Sequence, residues 1–159
     1  MKKICLFTLT LTLILNSCSN ENNQKEKLIG RWSLSEYLAE EVVTNSEEAT
    51  KDITERIESF LEDYNNDTGI EKGGYWFDFQ SGNIVDFTTG GDIVARGTYR
   101  ISGDRLIINT KYGWKYDYKF ILEADRLTLY EDVTDDWQRV VPEGVVVEKV
   151  VVRKIYRLK

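Results

Sequence analysis

From Gly74 to Leu158 apolar and polar residues alternate with a period of two, in short runs that each end at a turn signal. The runs are Tyr75–Gln80, Asn83–Thr88, Ile93–Ile101, Arg105–Thr110, Trp114–Leu122, Arg126–Glu131 and Val145–Leu158. Ser81-Gly82, Gly90-Gly91, Ser102-Gly103-Asp104, Tyr112-Gly113 and Ala124-Asp125 separate them, with a longer connection from Asp132 to Gly144. An opening strand at Gly30–Leu38 makes eight. Links this short join antiparallel neighbours, because a parallel crossover needs a dozen or more residues. The pattern predicts a mainly β fold, an eight-stranded antiparallel up-and-down barrel, with an open sandwich as the alternative if the first and last strands do not pair.

One segment breaks the period of two. Ala49, Ile53, Ile57, Phe60, Leu61 and Tyr64 fall at helical spacing and predict an amphipathic helix over Ser46–Tyr64, between the first and second strands. Thr44-Asn45-Ser46-Glu47 fits a capping signal at its start, and Asn65-Asn66-Asp67-Thr68-Gly69 supplies a stop. The apolar stripe packs on the barrel or covers a cavity mouth.

The strand faces sort by polarity. Ile93, Ala95, Gly97, Tyr99 and Ile101 oppose Val94, Arg96, Thr98 and Arg100, while Trp114, Tyr116, Tyr118, Phe120 and Leu122 oppose Lys115, Asp117, Lys119, Ile121 and Glu123. A charged outer face excludes a membrane-embedded barrel, where each such charge at the bilayer midplane costs up to about 2–4 kcal/mol. The inward aromatic row makes Tyr75, Tyr99, Trp114, Tyr116, Tyr118 and Phe120 the candidate ligand-binding residues. Rings with polar tips suit a small apolar or amphipathic molecule, and the same rings packed solid would leave a core with no cavity. Eight strands enclose room for side chains or one small ligand.

Charge and composition narrow the chemistry. With 27 acidic and 21 basic residues the chain has a formal net charge of −6, a poor match for phosphate backbones, so nucleic acid is not an expected partner. There is no histidine, which removes histidine bases, triads and Cys/His zinc sites together. Asp78, Asp86 and Glu131 are the carboxylates to weigh for hydrolysis, but nothing in their surroundings sets two of them at different pKa values, and no enzyme activity, cofactor or metal is expected. Asp63–Gly69 begins like a calcium loop, yet its sixth position is Thr68 and its twelfth Gly74. The acidic loop at Asp132, Asp135 and Asp136 reads as a solvated turn, with weak calcium binding as the alternative. Trp137 either folds over the barrel rim or offers a partner surface.

The amino terminus divides the chain into a leader at 1–17, a tether at 18–27 and a domain at 28–159. Lys2-Lys3, an apolar run to Leu15 and small residues before Cys18 form a secretory signal too short to cross a bilayer as a helix, which takes about 20 residues. Leu15-Asn16-Ser17-Cys18 resembles the bacterial lipobox. That resemblance implies cleavage before Cys18, a lipid on its thiol as the membrane anchor and, with Ser19 following, an outer-membrane location whose face is open. Ser19–Lys27 is polar and free of aromatics, as a flexible tether would be.

Two further strings resemble a family. Gly30-Arg31-Trp32 matches the G-x-W start of lipocalins, and Gly97-Thr98-Tyr99-Arg100-Ile101-Ser102-Gly103-Asp104-Arg105-Leu106 resembles a hairpin of lipocalin-like domain lipoproteins of the Bacteroidetes type. The lipocalin T-D-Y motif is missing, and the helix precedes the second strand instead of following the barrel. The resemblance implies a barrel that holds a small apolar or amphipathic molecule, with Trp32 as the barrel base and Arg153 or Arg157 packed across it. The alternative function is a protein-interaction module: a filled barrel whose loops or helix bind an envelope protein.

Overall fold

The structure, a computed structural model, describes residues 21–68, 74–89 and 94–159. The leader at 1–17, Cys18, the start of the tether, the Gly69 stop, the Gly90-Gly91 turn and Ile93 lie outside the described residues. Residues 21–28 are helical (α1). The sequence reading leaves this stretch without regular structure, but Gln24, Lys25, Glu26 and Lys27 are good helix formers and the helix ends on the buried Leu28.

Eight strands follow: β1 (Gly30–Thr44), β2 (Tyr75–Gln80), β3 (Ile84–Thr89), β4 (Ala95–Ser102), β5 (Arg105–Thr110), β6 (Lys115–Leu122), β7 (Arg126–Asp132) and β8 (Val147–Leu158). Each pairs antiparallel with its neighbour in sequence, and β8 pairs with β1, so the sheet is a closed barrel. A 3-10 turn, Ser81–Asn83, links β2 to β3. The long helix α2 (Glu47–Thr68) connects β1 to β2, and the short α3 (Thr134–Gln138) lies between β7 and β8.

β1 runs six residues beyond the strand expected from alternation, and its register explains why. Trp32 faces Leu158 and Leu34 faces Tyr156; then a shift at Ser35 brings Tyr37 opposite Lys154 and Ala39 opposite Val152, and a second at Glu40 brings Val42 opposite Val150. Each bulge inserts one residue and restores the inward direction of the next apolar one. Without them a strict period of two would bury Glu36 and Glu40. The strand therefore keeps one apolar face along its length while its sequence shows no clean alternation.

The two ends of the barrel differ. At one end Trp32 is fully buried and its indole N–H donates to the carbonyl of Leu28 at 2.7 Å, so the G-x-W tryptophan closes the base together with the end of α1. The two arginines that the resemblance implied as its partners make ion pairs. Arg153 pairs with Glu40 at 3.3 Å and Arg157 with Asp125 at 3.7 Å. Both belong to the outward parity of β8, because Lys154 and Tyr156 take the inward positions.

At the other end, among the described residues, β1 pairs with β2 over Gly30–Ser33 and continues against β8. α2 packs on this extended ribbon. Ile53 and Ile57 are buried with Val147, Val150 and Val152, and Tyr37, Ala39 and Val42 pack beside them. The Ser46 hydroxyl accepts the Ala49 N–H at 3.3 Å, and the Thr44 hydroxyl accepts the Ser46 N–H at 3.0 Å, which fixes where the helix starts. Further along, Phe60 sits between Tyr37 of β1 and Tyr75 of β2, with ring centroids 4.7 and 5.7 Å away. A helix side chain thus fills the gap where the two strands part.

Candidate functional site

Below Phe60 the barrel holds a cavity of about 320 Å³. Its apolar wall is Leu34, Phe60 and Phe77, and its polar tips come from Tyr37, Tyr75, Tyr116, Tyr118 and Tyr156. Alternation aims them: Tyr116 and Tyr118 are successive inward positions of β6, and Tyr156 is the inward residue of β8 opposite Leu34. The rings are organised against one another. Tyr116 and Tyr118 stack at 6.1 Å, Phe87 meets Tyr116 edge-on at 5.7 Å, and Phe77 meets Tyr118 edge-on at 6.5 Å.

Two opposite charges share the cavity. Lys154 of β8 donates to the carboxylate of Glu131 on β7 in a short contact, and both line the void with side chains only 19% and 25% exposed. The Lys154 ammonium also lies 5.4 Å from the Tyr37 ring centre. Burial pushes the hydroxyls of Tyr118, Tyr156 and Tyr37 far above the ordinary phenol value, and the negative charge of Glu131 adds to it. Tyr116 is raised for the same two reasons. All four phenols are therefore neutral hydrogen-bond donors. Tyr116, Tyr118 and Tyr156 line the cavity, where a buried phenol usually finds a hydrogen-bond partner. Their hydroxyls are placed to donate to an acceptor atom that enters it.

The structure brings together only part of the set expected from sequence. Tyr75, Tyr116 and Tyr118 line the cavity. Tyr99 and Phe120 face inward but belong to the closed half: Tyr99 meets Phe79 edge-on at 5.0 Å with its hydroxyl toward the Gln80 carbonyl at 3.5 Å, and Phe120 is buried beside the β4–β5 turn. Trp114 is corrected. It precedes the first residue of β6, is 60% exposed and leans on Tyr112 at the hairpin tip. Trp137 folds back against α2, with the Arg56 guanidinium 5.3 Å from its ring centre.

Of the carboxylates, Asp86 binds Arg96 through two contacts of 2.6 and 2.7 Å, and its hydrogen bonds to that guanidinium hold its pKa below the usual carboxylate value. Asp78 pairs with Asp86 in register, on the face opposite Phe77 and Phe79. Glu131 alone of the three reaches the cavity. Sequence reasoning missed Tyr37, Phe60, Lys154 and Tyr156. The signal for the last two was present, since Val150, Val152, Lys154 and Tyr156 keep one parity along β8; Tyr37 was hidden by the Ser35 bulge.

No group of acidic or cysteine side chains suited to a metal ion occurs among the described residues, nor is any helix there long and apolar enough to cross a membrane. Compared with protein-family models, with curated proteins and with solved structures, the chain gives no match.

Proposed function

We infer that this chain is a lipid-anchored cell-envelope protein whose lipocalin-like barrel binds or carries a small apolar or amphipathic molecule in the cavity under α2. The observation that carries this reading is the cavity of about 320 Å³ that the described residues form at the mouth of the barrel, opposite the buried Trp32. Pockets of about 300 Å³ and above, apolar with a few convergent polar groups, are the usual form of a small-molecule site. A barrel acting only as a rigid scaffold for protein contacts has no need to keep phenol donors facing a void. The folded-back Trp137 also leaves less apolar surface on that side for a partner.

The anchor rests on Cys18 and its lipobox, and the outer membrane on the residue that follows it. α1 ends at the barrel base, so a lipid at Cys18 would attach the molecule by its closed end and leave the mouth turned away from the bilayer. Native mass spectrometry of protein extracted from its own membrane is expected to show a bound small molecule. Leu34→Trp, which places an indole in the cavity, is expected to abolish uptake of a neutral fluorescent apolar probe while the circular dichroism stays native; full uptake by the folded variant would overturn the site. Cys18→Ala protein is expected in the soluble fraction.

A further inference from the structure

The barrel interior carries one feature that an apolar carrier does not require: a carboxylate and an ammonium closed on each other inside the binding volume. Lys154 and Glu131 both line the cavity, both are mostly shielded from water, and each occupies the other. Their charges cancel. A net charge moved into such a space loses its hydration and needs a new partner, and among the described residues the formal charges lining the cavity are already engaged with each other. A carboxylate or sulfonate on a ligand must take Lys154 from Glu131, which strands Glu131 in the same enclosed volume. A ligand ammonium must take Glu131 from Lys154, with the reverse result. An uncharged ligand disturbs neither, and the phenols of Tyr116, Tyr118 and Tyr156 remain to donate to its acceptor atoms.

We propose that the Lys154–Glu131 pair is a specificity element that makes the cavity select uncharged, acceptor-bearing small molecules over anionic or cationic ones of the same shape. This rests on the binding reading above and adds the chemical class of the ligand. Size adds a second restriction. A volume of about 320 Å³ sits at the small end of known sites, which favours a compact ring-bearing molecule over a long acyl chain.

The test uses two probes with one framework, N-phenylnaphthylamine, which is uncharged, and anilinonaphthalene sulfonate, which adds an anion. The full-length wild-type protein is expected to bind the uncharged probe at least about tenfold more tightly than the sulfonate. Glu131→Gln frees the ammonium and is expected to tighten the sulfonate by about tenfold while the uncharged probe changes less than about twofold. Lys154→Gln leaves Glu131 unpaired and is expected to move the ratio the opposite way, so either variant serves if the other fails to fold. Equal wild-type affinities, a tighter sulfonate, or a ratio unmoved in the folded variants would overturn the selectivity and leave binding standing. Failure of both probes to bind, with displacement by neither, would overturn the binding reading as well.

Discussion

At Gly97 the wall of the barrel has no room for a side chain: a Cβ built there lies 2.6 Å from the backbone oxygen of Asn109 on β5. The obstacle is backbone, so it cannot swing aside as a side-chain tip would. Gly97→Ala is expected to cost about 1–3 kcal/mol, read as a lower urea midpoint with an unchanged slope. The string containing Gly97 and Tyr99 was legible in sequence, and this contact gives the glycine its physical reason. Tyr116 and Tyr118 were legible too, because β6 obeys a strict period of two. Trp114 shares their parity and was misplaced, since parity says which way a residue points and not where the barrel ends. Tyr37 was illegible because the inserted Ser35 reverses the parity that a regular strand would give it.

α2 owes its position to a short stripe. Ile53 and Ile57 are fully buried against the valines of β8, and Phe60 reaches the gap between β1 and β2. Ile57→Ala is expected to cost about 2–5 kcal/mol if the loss is felt globally, and less if the helix simply loosens from the ribbon. Amide hydrogen exchange separates these outcomes. Protection confined to the barrel, with α2 exchanging early, would mark the helix as a unit of its own, and uptake of an uncharged probe should then become faster. The sequence placed this helix to within a few residues, because its apolar stripe and its Ser46 start are local features. Where it docks was not legible, for that depends on β1 and β8 running past the rest of the barrel.

For the molecule as a whole, the buried phenols predict how it fails in base. An exposed phenol ionises near 10.0, whereas Tyr37, Tyr118 and Tyr156 are held well above that by burial. Below pH 10.0 both folded and unfolded chains keep these protons, so the three groups add no pH dependence; above it only the unfolded chain releases them. Stability is therefore expected to fall as pH rises past that point, by about 1.4 kcal/mol per pH unit for each such phenol. Tyrosinate absorbance from these rings should appear together with loss of circular dichroism, and ionisation within a native spectrum would show that they are not sealed. At this scale the strand count and the meander were legible from turn spacing, but closure was not, because pairing between β1 and β8 joins residues that no local pattern connects. That seam orders the life of the chain. The twelve residues of β8 stitch to both β1 and β7, so a polypeptide still being made, or one clipped short of Val147, has two raw borders and an unlatched helix, and it stays open to proteases until its last strand arrives.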